Sequence, residues 1–324
     1  MRRREFITLI GAAAAAWPVA ARAQQADQLR RIGILNPSVG EQLETEKAAL
    51  REELDRLGWH DGGNIRFDYR GEREDMNTAA AGLLALQPDV TLTIGVEALR
   101  ALQKQTQSVP IVFTVVSDPL GSGFVQSLAR PGGNVTGFMN FEYSIVGKWI
   151  AMLKEIAPQV SHATVIESPG KPTWPGYAHE IAAAAQSLRM PIAPDFVRNA
   201  GDIERSLNNL AREPNGGLIV MPDIITNINR ELIARLAGQH RLPAIYPYRM
   251  FVASGGLVSY GIDRVEIVRR AASYVDRILR GDKPGDLPVQ APTKFELIVN
   301  LKTARALGLT IPESFLTRAD EVIE

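Results

Sequence analysis

Residues 89–118 read DVTLTIGVEALRALQKQTQSVPIVFTVVSD. The run at 89–95 is β-branched and apolar, 97–106 carries helix formers, and 109–116 is a second, continuous apolar run. Two short strands apolar on both faces, joined by a helix, belong inside a parallel sheet, where helices cover both sides. Outward toward the N-terminus, RIGIL at 31–35 predicts a strand ending in Asn36-Pro37-Ser38. Leu43, Lys47, Leu50, Leu54 and Leu57 then recur at spacings of three and four, the stripe of an amphipathic helix, with Gly58 placed to cap it. A strand at 64–70 and a helix at 77–86 complete the first round. After Asn140 the alternation restarts, with helices at 144–156, 174–188, 202–212 and 226–240. Strands at 162–168, 192–197, 217–221, 243–246 and 256–260 alternate with them, and Val265, Val268, Ala272, Val275 and Leu279 stripe a last helix.

The two rounds resemble each other. Residues 83–88 (LLALQP) enter a strand as 207–214 enter its counterpart, and Val109-Pro110 matches Leu242-Pro243. The expected fold is therefore α/β, with two doubly wound parallel-sheet lobes, a hinge and a central cleft. One lobe is expected from 28–140 plus about 263–290, the other from 141–262 plus about 291–324, with Gly137 and Gly261 in the crossovers. A single large α/β enzyme domain is the alternative.

The N-terminus predicts export. Arg2, Arg3 and Arg4 precede an apolar stretch at 9–20 that closes on Ala21-Arg22-Ala23, a small-x-small cleavage site. The paired arginines followed by Phe6 resemble a twin-arginine signal. Removing residues 1–23 leaves a mature chain with a net charge of about −3, too nearly neutral for a nucleic-acid or anionic-lipid footprint. No later apolar run approaches the ~18 residues that span a bilayer, so the mature chain is expected to be soluble. There is no cysteine, which removes thiolate chemistry and leaves a 324-residue chain, 45% apolar, to hold itself together by its core.

In such sheets ligands sit beyond the carboxyl ends of the strands, where helix N-termini present free N–H groups. Those positions hold Asn36 and Ser38, Gly95 with Glu97, and Ser117 with Asp118 in the first round. In the second they hold Ser168 with Thr173 and Trp174, Asp223 with Thr226, and Tyr246 with Tyr248. Hydroxyls and backbone amides suit a carboxylate, Asp118 or Asp223 an ammonium, and the aromatic faces an apolar or cationic group. The same residue types cap helices and fill core edges. Motifs for catalysis are poor. His60, His162, His179 and His240 show no zinc spacing, and there is neither a G-x-S-x-G elbow nor a phosphate-binding loop. No cofactor, metal or enzymatic activity is expected. An exported hydrolase using Asp118 or Asp223, and a ligand-sensing module for a receptor, remain as alternatives.

Four stretches carry a family resemblance: VSDPLGSGFVQSLARPGGNVTGF (116–138), GGLVSYGID (255–263), YVDRILRGDKPGDLPVQAPTKFELIVNLKTARALGLTIPESFL (274–316) and the ending RADEVIE (318–324). They resemble the tryptophan/tyrosine-type substrate-binding proteins of ABC transporters, over nearly the whole mature chain. The resemblance implies a type I periplasmic-binding fold, an amino-acid ligand, and a membrane permease with its ATPase as partner. It further implies a hinge that closes on solute, and the exported chain is expected to be a monomer in the periplasm. It places the cleft loops at Asn36, Ser38, Gly95 to Glu97, Ser117, Asp118, Asp223, Tyr246 and Asp263. The chain departs from many relatives at Met250, where they carry an acidic residue.

Overall fold

A computed structural model describes residues 29–324. The export signal read at residues 1–23 lies outside the described residues.

The first sheet contains β1 (Arg30–Leu35), β2 (Ile65–Arg70), β3 (Val90–Ile94), β4 (Ile111–Val116) and β5 (Val135–Met139), in the order β2-β1-β3-β4-β5. All its pairings are parallel. Every residue of β3, β4 and β5 is buried, which is why these strands read as unbroken apolar runs. Helices α1 (Gly40–Arg56), α2 (Met76–Leu84) and α3 (Val96–Gln103) connect the strands.

The second sheet has seven strands: β6 (His162–Glu167), β7 (Ile192–Phe196), β8 (Gly216–Val220), β9 (Ala244–Tyr246), β10 (Val258–Gly261), β11 (Glu296–Asn300) and β12 (Glu321–Ile323). Their order is β12-β11-β10-β9-β8-β6-β7. Its helices include α4 (Ile145–Ile156), α5 (Trp174–Leu188), α6 (Ala200–Leu210), α7 (Ile224–Ile228), α8 (Arg230–Gln239) and α9 (Arg249–Ala253). The lobes are parallel-dominated, with one exception: β11 runs antiparallel to β10. The chain has by then left the second sheet and returned to it from the other side.

That excursion is α10 (Arg264–Leu279), capped by the Asp263 carboxylate on the Val265 and Glu266 amides. It packs on α1 and on the β3–β5 face of the first sheet. Beyond it, Gln290 lies beside β5, bonded to Gly137 and Met139 through the backbone. The chain therefore passes between sheets after Met139, near Gly261–Asp263 and after Gln290. None of the helices among the described residues is long and apolar enough to cross a membrane.

One crossing is held by close backbone approach. A Cβ on Gly261 would lie 1.8 Å from the Pro247 carbonyl oxygen, a main-chain atom that cannot swing away. We expect Gly261→Ala to cost about 1–3 kcal/mol through forced backbone displacement, read as a lowered urea midpoint. An unchanged midpoint would show that this crossing yields freely.

Candidate functional site

The strand order of each sheet reverses once, at β1/β3 in the first and at β6/β8 in the second. Such switch points leave a crevice outside the carboxyl ends of the strands. Here the two crevices face each other across one cavity of about 230 Å³. From the first lobe come Pro37 to Val39 after β1, Gly95 to Glu97 after β3, and Ser117 after β4. From the second come Glu167 to Thr173 after β6, Pro222 to Ile224 after β8, and Tyr248 after β9. Val39, Ile94, Val96, Val115, Ile224, Ile228 and Met250 make much of the wall apolar.

Among the helices that begin at this cavity, α1 after Val39, α3 after Gly95, α5 after Thr173 and the short α9 after Tyr248 have no side-chain cap, whereas Asp223 caps α7. Away from it, Asp75, Asn199 and Asp263 cap theirs through their side chains. Uncapped first-turn N–H groups carry the positive end of the helix dipole and suit an anionic group of a ligand. Gly95 takes up φ 92° to start α3, a conformation open to glycine at no steric cost.

The second-lobe wall also carries acidic groups. Lys171 Nζ lies 2.6 Å from Asp223 Oδ2 and 3.6 Å from Glu167 Oε1, and it donates to the Pro222 carbonyl at 3.2 Å. Asp223 Oδ1 accepts from the Ile225 amide and Oδ2 from the Ser168 amide. Burial opposes the Asp223 charge, but the Lys171 ammonium and these N–H groups hold the carboxyl below its usual range. Burial likewise works against the Lys171 charge, yet Asp223, Glu167 and Glu97 keep its pKa above the ordinary value. Glu167 has the weaker share of that cation. Burial pushes its carboxyl up to about 7, against the pull of Lys171 and with a further push from Asp223. Its Oε2 has no hydrogen-bond partner among the described residues, and the same holds for Ser168 Oγ and Asn227 Oδ1.

A polar chain joins the lobes behind the cavity. Tyr177 donates to Ser117 Oγ, which donates to Asn140 Oδ1 at 2.7 Å, and Asn140 Nδ2 reaches the Tyr248 hydroxyl. Arg264 lies over the Tyr248 ring and pairs with the buried Glu46 at 2.9 Å, also donating to Ser38 Oγ.

Of the residues expected from sequence, Ser38, Gly95, Glu97, Ser117 and Asp223 line this one cavity. Asn36, Asp118, Tyr246 and Asp263 do not, and each has another engagement. Asn36 donates to Glu46 and accepts from the Ser38 amide, so it shapes the loop that carries Ser38. Asp118 accepts from the Gly121 amide and the Tyr143 hydroxyl. Tyr246 is buried and stacks on Phe251 at 5.1 Å, and Asp263 caps α10. Sequence reasoning missed Glu167, Lys171 and Tyr177. An acidic residue closing the otherwise apolar strand HATVIE was the available signal for Glu167.

Among the described residues no group of three or more histidines, aspartates or glutamates is placed to hold a metal. The model of one family, described as ABC transporter substrate binding protein, matches residues 31–323. The chain belongs to that family. It is 25% identical over 283 residues to a tyrosine-binding protein of Clostridioides difficile, covering 86% of this chain and 81% of that one. Among solved structures, a conserved domain protein from Vibrio cholerae superposes with a TM-score of 0.84 at 27% identity, covering 91% of this chain and 100% of the other. An ABC domain from Streptococcus pneumonia in complex with L-Trp gives a TM-score of 0.84 at 23% identity, over the same shares, and shares the fold. The facing crevices of this substrate-binding protein are thus a feature of a shared two-lobed architecture.

Proposed function

We propose that this protein is the exported receptor of an ABC importer, and that it takes one aromatic amino acid into the cavity between its lobes. In this reading residues 28–140 with about 263–290 close against 141–262 with about 291–324, and the loaded form delivers its cargo to a permease and its ATPase. Residues 1–23 act as a cleaved signal, so the mature monomer works in the periplasm. The observation that carries the reading is the mixed lining of the cavity: uncapped helix N-termini from both lobes, the carboxylates of Glu97, Glu167 and Asp223, and apolar and aromatic walls. A zwitterion with an aromatic side chain complements all three. The tyrosine-binding relative supports the same ligand class. Binding rather than catalysis also fits Asp118 and Asp223, the groups acid–base chemistry would use, since their oxygens are already committed.

The test is a thermal-unfolding screen of residues 24–324 against amino acids, other carboxylates, polyamines and sugars. At about a hundred times its dissociation constant an aromatic amino acid adds roughly 2.7 kcal/mol, worth several degrees in a chain of this size, with no turnover of the ligand. A shift with a sugar and none with aromatic amino acids would contradict the assignment.

A further inference from the structure

The cavity contains one buried charge that the protein itself does not neutralise. Lys171 has three N–H donors, and Asp223, the Pro222 carbonyl and Glu167 Oε1 already surround it. Asp223 is equally committed, accepting from Lys171, the Ser168 amide and the Ile225 amide. Two carboxylates share one ammonium, and the surplus acceptor is Glu167 Oε2. The Glu167 side chain is 2% exposed, lines the cavity, and leaves that oxygen without a partner among the described residues. Ser168 Oγ and Asn227 Oδ1 are unpartnered in the same way and line the same side. A buried acceptor left unmade is costly, and a charged one more so. A primary ammonium brings three N–H donors and one positive charge, which answers both deficits together.

We propose that Glu167 is the specificity-determining residue of the cleft: it seats the ammonium group of the ligand, with Ser168 Oγ and Asn227 Oδ1 as the neighbouring acceptors. This rests on the binding reading above and deepens it, moving the ammonium from Asp118 or Asp223, where the sequence placed it, to Glu167. The charged and titratable groups around Glu167 are Lys171 on its own loop, Asp223 beyond β8, Tyr177 on α5, and Glu97 of the other lobe through Lys171. Among them Lys171 alone is cationic and it is already engaged; Arg100, Arg230 and Arg264 also line the cavity, but none pairs with Glu167, so the ligand supplies the second cation. Burial pushes the Glu167 carboxyl up to about 7, so binding an ammonium there draws a proton off, and affinity weakens as pH falls below about 7.

The experiment is calorimetric titration of residues 24–324, wild type and Glu167→Gln, with three probes. They are L-tyrosine, tyramine (tyrosine without its carboxylate) and hydroxyphenylpropionate (tyrosine without its ammonium), run alongside L-leucine and putrescine. The proposal expects hydroxyphenylpropionate to bind wild type at least tenfold more weakly than tyrosine. It expects Glu167→Gln to weaken tyrosine by a similar factor while leaving hydroxyphenylpropionate unchanged. The wild-type probe comparison needs no variant, so it stands even if Glu167→Gln folds poorly. Equal binding of tyrosine and hydroxyphenylpropionate, or tyrosine binding that ignores Glu167→Gln, overturns the ammonium seat and leaves the aromatic assignment standing. Binding of leucine or putrescine alone, lost in Glu167→Gln, sinks the aromatic assignment and supports the seat. Failure of every amine in the set to bind overturns the seat.

Discussion

Lys171→Met will destabilise the protein by about 3–5 kcal/mol at pH 8, the cost of removing one partner from a buried ion pair. The substitution keeps the length and apolar stem of the side chain, so little packing is lost. Among the described residues, what goes is the only cation within contact of Asp223, a residue whose side chain has 0% exposure, and Glu167 loses its counter-charge as well. Urea denaturation of wild type and variant gives the number. Adding Glu167→Gln and Asp223→Asn to Lys171→Met should restore much of the loss, because no uncompensated charge then remains. A loss under about 1 kcal/mol would mean that the three groups are solvated and that the acidic wall is not a buried one.

The second large effect is a pH dependence that runs opposite to that of most paired carboxylates. Glu167 has its pKa raised from 4.5 to about 7 in the folded chain. Between those values the unfolded chain has shed the proton and the folded chain still holds it, so the contribution to stability falls as pH rises. The total across that window is about 3 kcal/mol, at ~1.4 kcal/mol per unit. Asp223 acts with the other sign. Its folded value lies below 3.8, so its contribution is present at neutral pH and is lost only in acid. Glu167→Gln mimics the protonated side chain at every pH. In the absence of ligand it should match wild type near pH 4.5 and exceed it by about 3 kcal/mol at pH 8. Paired urea titrations at the two pH values check this, since other groups cancel in the difference. A constant difference would show that the Glu167 carboxyl titrates normally. A group that weakens the empty protein fits a stability–function trade-off at a binding site.

Both predictions depend on residues that the sequence did not single out, and the reason is physical. The central strands β3 and β4 were readable because burial on both faces leaves a continuous apolar run, and β8 for the same reason. Strand β5 was not, because Gly137 interrupts it. That glycine is needed for packing, since a Cβ there would lie 2.1 Å from the Phe113 carbonyl oxygen. The run at β11 is apolar enough, but its antiparallel partner is set by the return of α10, which no local pattern announces.

The site divides along similar lines. Ser38, Gly95, Glu97, Ser117 and Asp223 follow from topology alone, because each stands just beyond the end of a strand. Tyr246 and Tyr248 are two residues apart, yet the first packs in the core against Phe251 and the second faces the cavity and Arg264. Their difference lies in where β9 ends, a boundary that composition does not mark. Asp118 and Asp263 have the chemistry of ligand groups and serve instead a turn and a helix cap. Glu167 and Lys171 acquire their character from burial beside Asp223, 55 residues or so along the chain from Ser168, and that proximity exists only in the fold.

On the proposed reading, the cavity between the two switch points holds one aromatic amino acid as a zwitterion. Isothermal titration of residues 24–324 with L-tyrosine and L-tryptophan at pH 8 tests this. Saturable binding of at least one of them is expected, at one ligand per chain, weakened at least tenfold by Glu167→Gln and absent for the matching sugar and polyol controls. Saturable binding of a sugar with none of either amino acid would contradict it.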